Sequence, residues 1–161
     1  MSLAFLALGS NIDAEKNLRA AAAMLRSRFP SIRFSQVYRT APVGYAAQED
    51  FLNAAAMIET DEEPEQIHQI LESIETSLGK AAPFRNGPRT IDLDLLLWDD
   101  KLLHEPRLTL PHPRMQKRRF VLEPLCELIE PTSEHPVLKI FWKDLLEGTM
   151  EQRTEKVELV L

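Results

Sequence analysis

The chain reads as an α+β sandwich of the split βαβ, ferredoxin-like kind, a mainly antiparallel sheet with helices on one face and a functional site on the other. Three observations predict it. The hydrophobic patterns follow the order strand, helix, strand, strand, helix, strand. The second helix is sharply bounded, with Pro64 suited to its first position and Gly79 to the residue just past its end. The strand that follows carries two carboxylates, Asp92 and Asp94, inside an aliphatic run.

Each element has its own signal. Residues 3–8 form a continuous apolar run that Gly9-Ser10-Asn11 breaks, as a buried strand entering a turn would. Asp13 is placed to cap a helix reaching about residue 28. Leu18, Ala21, Leu25 and Phe29 keep helical spacing in it, and Pro30 ends it. Residues 32–39 alternate loosely as a second strand, residues 40–50 hold Pro42 and Gly44 and read as a loop, and residues 51–60 read as a third strand. Ile67, Ile70, Leu71, Ile74 and Leu78 give the helix over residues 64–78 its apolar stripe. A polar loop over residues 80–86 leads to the fourth strand. Beyond it the patterns suggest a hairpin or edge strand at 101–110, a helix at 120–129, a short helix within 137–147 and a last strand at 157–161.

The length of 161 residues suits one domain, residues 1–161, with a substantial core. A composition with 44% hydrophobic and 27% charged residues is that of an ordinary globular protein. The net charge of −6 argues against bulk electrostatic binding to nucleic acid. No apolar run is long enough to span a bilayer, and no secretory signal pattern opens the chain. The single cysteine, Cys126, rules out an internal disulfide and is compatible with the cytosol, its leucine neighbours marking it as a small core residue. The expectation is a cytoplasmic protein that binds neither nucleic acid nor membrane. With no exposed apolar stripe in view, it is expected to be a monomer.

The segment Gly87-Pro88-Arg89-Thr90-Ile91-Asp92-Leu93-Asp94 carries the chemistry. Strand residues two apart share a face, so Asp92 and Asp94 project together while Ile91, Leu93 and Leu95 enter the core. A D-x-D pair on an amphipathic strand is often just a solvated face. The aliphatic run continuing through Leu95, Leu96 and Leu97 suggests instead a central strand covered on both sides. Paired acids there need a neutralising cation. Mg²⁺, often held by one or two carboxylates plus substrate phosphates, is the natural candidate, and Arg89 lies close enough in sequence to meet those phosphates.

A basic cluster follows: Arg107, Arg114, Lys117, Arg118 and Arg119, with His112 held between Pro111 and Pro113. It reads either as a solvated basic surface or as a clamp for polyphosphate, and the acidic pair favours the clamp. There is neither a Walker A motif nor G-x-G-x-x-G, so any nucleotide is bound without a P-loop. Phe51 and Asn53, on one face of the third strand beside a Pro42-Gly44 loop, offer a stacking ring and an amide to a flat heterocycle. Taken alone they are ordinary core and turn residues.

Together these blocks resemble one family, the 6-hydroxymethyl-7,8-dihydropterin pyrophosphokinases of folate biosynthesis. The resemblance runs through Ala7-Leu8-Gly9-Ser10-Asn11, Tyr38-Arg39-Thr40-Ala41-Pro42-Val43-Gly44 and Phe51-Leu52-Asn53-Ala54. It is strongest from Gly87 through Leu96, and goes on through Arg107-Leu108-Thr109-Leu110-Pro111-His112 and Arg118-Arg119-Phe120. It spans about residues 3–130.

The resemblance implies a ferredoxin-like fold and two Mg²⁺ ions held by Asp92 and Asp94. It implies transfer of pyrophosphate from ATP to the pterin hydroxymethyl oxygen, with release of AMP. It makes Arg89, His112 and Arg118 phosphate contacts, and places Glu75, Arg107, Leu108 and Thr109 near the nucleotide. Thr40, Ala41, Val43, Phe51, Asn53 and Phe120 become the pterin pocket, with the two phenylalanines sandwiching the ring.

The chain departs from the family pattern between Gly79 and Gly87. Many relatives carry two arginines and an aromatic there. Here Lys80, Ala82 and Asn86 stand in those places, with Phe84 and Arg85 in a shifted register. Lys80 and Arg85 are the expected catalytic-loop cations, although a lysine lacks the bidentate fork of arginine. Two rivals remain: a pterin- or nucleotide-binding relative that has lost catalysis, and a D-x-D transferase of another kind.

Overall fold

A computed structural model describes residues 1–42, 44, 47–80 and 87–161. In chain order it contains β1 (Ser2–Ser10), α1 (Ala14–Arg28), β2 (Arg33–Phe34), β3 (Val37–Thr40), β4 (Phe51–Thr60), α2 (Pro64–Ser77) and β5 (Asp92–Trp98). There follow β6 (Leu103–Glu105), β7 (Leu108–Leu110), a 3₁₀ turn (Met115–Lys117), α3 (Arg119–Leu125), α4 (Trp142–Glu147) and β8 (Glu155–Val157).

The main sheet runs β5-β1-β4-β3-β8, with β2 also on β4, and every pairing is antiparallel. Its four principal strands, counted along the chain, lie in the order fourth, first, third, second. That is the split βαβ arrangement, and the α+β, ferredoxin-like fold stands.

β1 explains why its sequence is nearly all apolar. Ala4, Leu6 and Leu8 enter a core with Leu18 and Leu25 of α1 and Ile67 and Leu71 of α2. Phe5, on the other face, joins Leu96, Leu97, Met115, Leu122, Leu125 and Trp142. Each fully buried leucine removes apolar area worth about 1.5–3 kcal/mol. α3 thus covers part of the sheet face opposite α1 and α2, with α4 packed against α3, and the other part stays open.

β5 ends the sheet; the central position predicted for it does not hold. Its aliphatic density has another cause. Between Phe5 and Leu6 the pairing shifts, so that Leu97 faces Phe5 and Leu95 faces Leu6. The extra residue, Leu96, joins Leu97 in the second cluster, while Leu93 and Leu95 enter the first. An edge strand covered on both sides reads like a central one.

Other differences are local. Asp13 precedes α1 at φ 42°, in the left-handed region, and its side chain caps nothing. Glu63 caps α2 instead, in a reciprocal box with Gln66. The predicted second strand splits at Ser35. Its hydroxyl accepts the Ala55 N–H at 2.8 Å, while its own N–H donates to the Ala55 carbonyl at 2.9 Å. The helix predicted at 120–129 starts one residue earlier and ends at Leu125. Only Trp142–Glu147 of the 137–147 segment is helical. The final strand is Glu155–Val157, earlier than predicted, and Leu159 and Leu161 are buried in the helix-side core. Among the described residues no helix is long and apolar enough to cross a membrane.

Candidate active site

The open part of the sheet holds a cavity of about 290 Å³. Its floor is a cross-strand row. Gly9 of β1 lies between Asp92 of β5 and Asn53 of β4, and Ala7 lies beside Asp94. A Cβ on Gly9 would come within 2.9 Å of the Asn53 Oδ1, so only glycine lets the amide lie against the strand.

At one end stand Thr40, Ala41, Phe51, Asn53 and Phe120. Asn53 is buried and donates from Nδ2 to the buried Thr40 hydroxyl at 2.7 Å. That bond fixes the amide orientation. Phe51 and Phe120 reach the same cavity from β4 and α3.

At the other end are Asp92 and Asp94 with Arg89, His112, Arg114 and Arg118. Asp94 opens to solvent within the concavity. Restricted hydration raises its carboxyl pKa, and the neighbouring Asp92 charge adds to the rise. Arg118 lies with its guanidinium 5.5 Å from the Phe120 ring centroid; burial, then Arg114, lowers its pKa. Burial, with Arg118 and Arg114 beside it, pushes the His112 imidazole down to about 4. It is therefore neutral near pH 7. Its Nδ1 accepts the Arg114 N–H at 3.3 Å, which leaves Nε2 to carry the proton.

Behind Asp92 lies a charged relay. Lys80 Nζ is 3.0 Å from Asp92 Oδ1 and 2.9 Å from Glu75 Oε2. Glu75 Oε2 also accepts the Leu93 N–H at 2.8 Å. Burial raises the Glu75 carboxyl pKa despite these two donors. Burial likewise opposes the Lys80 charge, but its bonds to Glu75 and Asp92 outweigh that and hold its pKa above the usual lysine value. Arg89 Nε stands 3.7 Å from Asp92 Oδ2.

Two residues on the β1 turn stitch Arg89 in place. Asn11 Oδ1 accepts the Arg89 N–H at 2.7 Å, and the Ser10 hydroxyl donates to the Thr90 carbonyl. Asn11 Nδ2 also donates to Gln48 Oε1 at 2.8 Å and to the Glu49 carbonyl at 3.0 Å. One side chain thus ties β1 both to the strap before β5 and to the loop before β4. Nothing in the spacing announced this role, nor the place of Arg114 in the cavity wall. The basic run was the one available signal for Arg114.

Four predicted nucleotide contacts do not line this cavity. Glu75 is buried behind Asp92, bonded to Lys80 and the Leu93 N–H. Arg107 is exposed in the turn between β6 and β7. The Leu108 side chain is committed to the helix-side core, because β7 packs its alternate residues inward. Thr109 faces a separate groove with His104 and Gln116, which His112 also borders. Val43 and Arg85, with Ala82, Phe84 and Asn86, lie outside the described residues.

The donor set suits Mg²⁺. Two carboxylates share one face, and their charge is poorly compensated at Asp94. Among the described residues no third acid, histidine or cysteine completes a metal cluster made by protein alone. Mg²⁺ accepts this arrangement when phosphates and water supply the remaining oxygens.

Comparison with known proteins agrees with this architecture. The model of the family described as 7,8-dihydro-6-hydroxymethylpterin-pyrophosphokinase matches residues 5–130. A Bacillus subtilis (strain 168) protein named 2-amino-4-hydroxy-6-hydroxymethyldihydropteridine pyrophosphokinase is 42% identical over 132 residues, covering 80% of this chain and 79% of its own. The protein of the same name from Pseudomonas aeruginosa is 40% identical over 127 residues, covering 77% and 78%. Among solved structures, Plasmodium falciparum HPPK-DHPS wild type with pterin and p-hydroxybenzoate superposes with a TM-score of 0.73 at 16% identity. The match covers 93% of this chain and 43% of that longer one, and at this identity it speaks for the fold alone.

Proposed function

This chain belongs to the 7,8-dihydro-6-hydroxymethylpterin-pyrophosphokinase family, and from that premise we propose how its cavity carries out pyrophosphoryl transfer in folate biosynthesis. The donor is ATP and the acceptor is 6-hydroxymethyl-7,8-dihydropterin. The hydroxymethyl oxygen bonds to the β-phosphorus, the bond from that phosphorus to the α,β-bridging oxygen breaks, and AMP leaves. The hydroxyl proton is lost to solvent or phosphate.

The observation that carries this reading is that one cavity holds the Asp92–Asp94 pair, the Phe51–Asn53 pair, His112 and the three arginines Arg89, Arg114 and Arg118. Phe51 and Phe120 bind the pterin ring by its faces, and Asn53, oriented by Thr40, hydrogen-bonds its amide-like edge. Arg89, Arg118 and the Nε2–H of neutral His112 bind phosphate oxygens. Asp92 and Asp94 would hold two Mg²⁺ ions, which supply charge neutralisation and activation of the hydroxyl. The chain contributes mainly positioning and fixed dipoles around an in-line attack. Stacked rings at one end and anchored phosphates at the other bring nucleophile and phosphorus together. Glu75, Lys80 and Arg89 set the charge around Asp92. Contacts from Arg107, Leu108 and Thr109 would reach a nucleotide only outside the cavity, Leu108 through its backbone. By the family resemblance, Val43 is assigned to pterin binding and Arg85 to phosphate binding.

The test is AMP release from ATP and Mg²⁺ with and without the pterin, beside Asp94→Ala. The expected result is pterin-dependent AMP that falls by a factor on the order of 10³ in the variant. Pterin binding without any AMP would instead favour a binding relative that has lost catalysis.

A further inference from the structure

Lys80 stands where it would compete with a metal ion. Its ammonium touches Asp92 Oδ1 at 3.0 Å and Glu75 Oε2 at 2.9 Å. Glu75 is itself pinned to β5, because the same oxygen accepts the Leu93 N–H at 2.8 Å. The lysine is therefore held against the strand on the Asp92 side. The second Asp92 oxygen faces Arg89 at 3.7 Å. Asp94, by contrast, makes no ion pair within 4.0 Å among the described residues. Among the described residues the two carboxylates assigned to metal are thus unequal: both Asp92 oxygens face a cation within 4.0 Å, and neither Asp94 oxygen does.

We propose that Lys80 is a built-in counter-ion that occupies Asp92 Oδ1 in the nucleotide-free protein and must be drawn off before that oxygen binds a divalent cation. The inference rests on reading Asp92 and Asp94 as the metal pair. Its physical basis is direct. A carboxylate oxygen already bonded to an ammonium offers little to a second cation, and the two positive charges repel. Lysine suits this exchange better than arginine. It is a compact charge on a flexible four-carbon stem with no bidentate fork to break. A triphosphate entering beside Arg89 and Arg118 is a stronger attractor than one carboxylate, and it offers the ammonium a new partner. Metal and nucleotide would then load together, and the free protein would bind bare cation weakly.

The test uses Mn²⁺ as a stand-in for Mg²⁺, with free Mn²⁺ measured by electron paramagnetic resonance on the parent, K80M and K80R. Circular dichroism would confirm that each variant is folded. Without nucleotide, K80M should bind Mn²⁺ roughly fivefold more tightly than the parent, the loss of a partly exposed ion pair of about 1 kcal/mol. K80R, which keeps the charge, should stay within about twofold of the parent. With a non-hydrolysable ATP analogue the advantage of K80M should vanish or reverse. Equal or weaker binding by K80M without nucleotide would overturn the counter-ion role. That outcome would remove the counter-ion role alone, provided the parent with the analogue still binds Mn²⁺ and D94N does not. If no variant binds Mn²⁺ even with the analogue, the metal assignment falls and the inference with it.

Discussion

At the Asn53 end of the cavity the polar groups are neutral and already bonded to one another, whereas at the Asp94 end they are charged and only partly matched. Asn53 and Thr40 share a buried hydrogen bond of 2.7 Å, on a strand that Gly9 leaves clear for the amide. Asp92 is held by Lys80 and Arg89, while Asp94 keeps a raised carboxyl pKa from restricted hydration and from Asp92. The difference teaches that one half recognises its ligand with parts fixed before binding. The other half stores unfavourable charge that its ligands relieve. A rigid amide suits a flat heterocycle, because little ordering entropy remains to be lost. A strained charge cluster suits a polyphosphate and its metals, because binding discharges it.

The largest expected effect lies in the charged half, in the collapse of turnover for Asp94→Ala described above. The neutral half should answer next. Asn53→Ala should weaken pterin binding by about tenfold to a hundredfold, the cost of leaving polar edges unpaired in a buried site. It should leave nucleotide binding within about twofold, both read by calorimetry. Equal losses for both ligands would erase the distinction between the two ends.

His112 gives a smaller effect, visible in the pH dependence of stability. Its folded pKa of about 4 lies below the ordinary histidine value of 6.5, so the unfolded chain takes the proton first as pH falls. The stability tied to its neutral form is fully present above pH 6.5 and is lost as pH falls through 4. His112→Gln should therefore lose less melting temperature than the parent between those pH values. An unchanged pH profile would mean that the imidazole is not held neutral by its surroundings.

Much of this was legible in sequence, and the reasons for the rest are physical. The alternation of Asp92 and Asp94 with leucines fixes their shared face, because strand geometry has a period of two. The match of β4 to residues 51–60 and of α2 to residues 64–77 follows from clean punctuation by Pro64 and Gly79. The edge position of β5 was hidden, because a strand with α2 against one face and the second apolar cluster against the other shows the same pattern as a central one. The partners of Lys80 and Asn11 were hidden for another reason. Lys80 meets Asp92 only because α2 delivers its end beside β5, and Asn11 reaches Arg89 across the sheet. Local periodicity carries no information about such long-range pairs. The burial of the Leu108 side chain was hidden too, because a block can match a family while one of its side chains serves the core.

The contrast between the two ends requires that Asp94 be kept for ligands at the expense of the free protein. A carboxyl whose pKa is raised on folding contributes stability only below its unfolded pKa, and that contribution is lost as pH rises through the folded value. At neutral pH Asp94 therefore opposes folding. The measurement is the melting temperature of Asp94→Asn against the parent at pH 7.5 in chelator-treated buffer, paired with turnover under full ATP, Mg²⁺ and pterin. The variant should melt higher than the parent and be nearly inactive. A variant that melts lower, or that keeps its turnover, would contradict this role for Asp94.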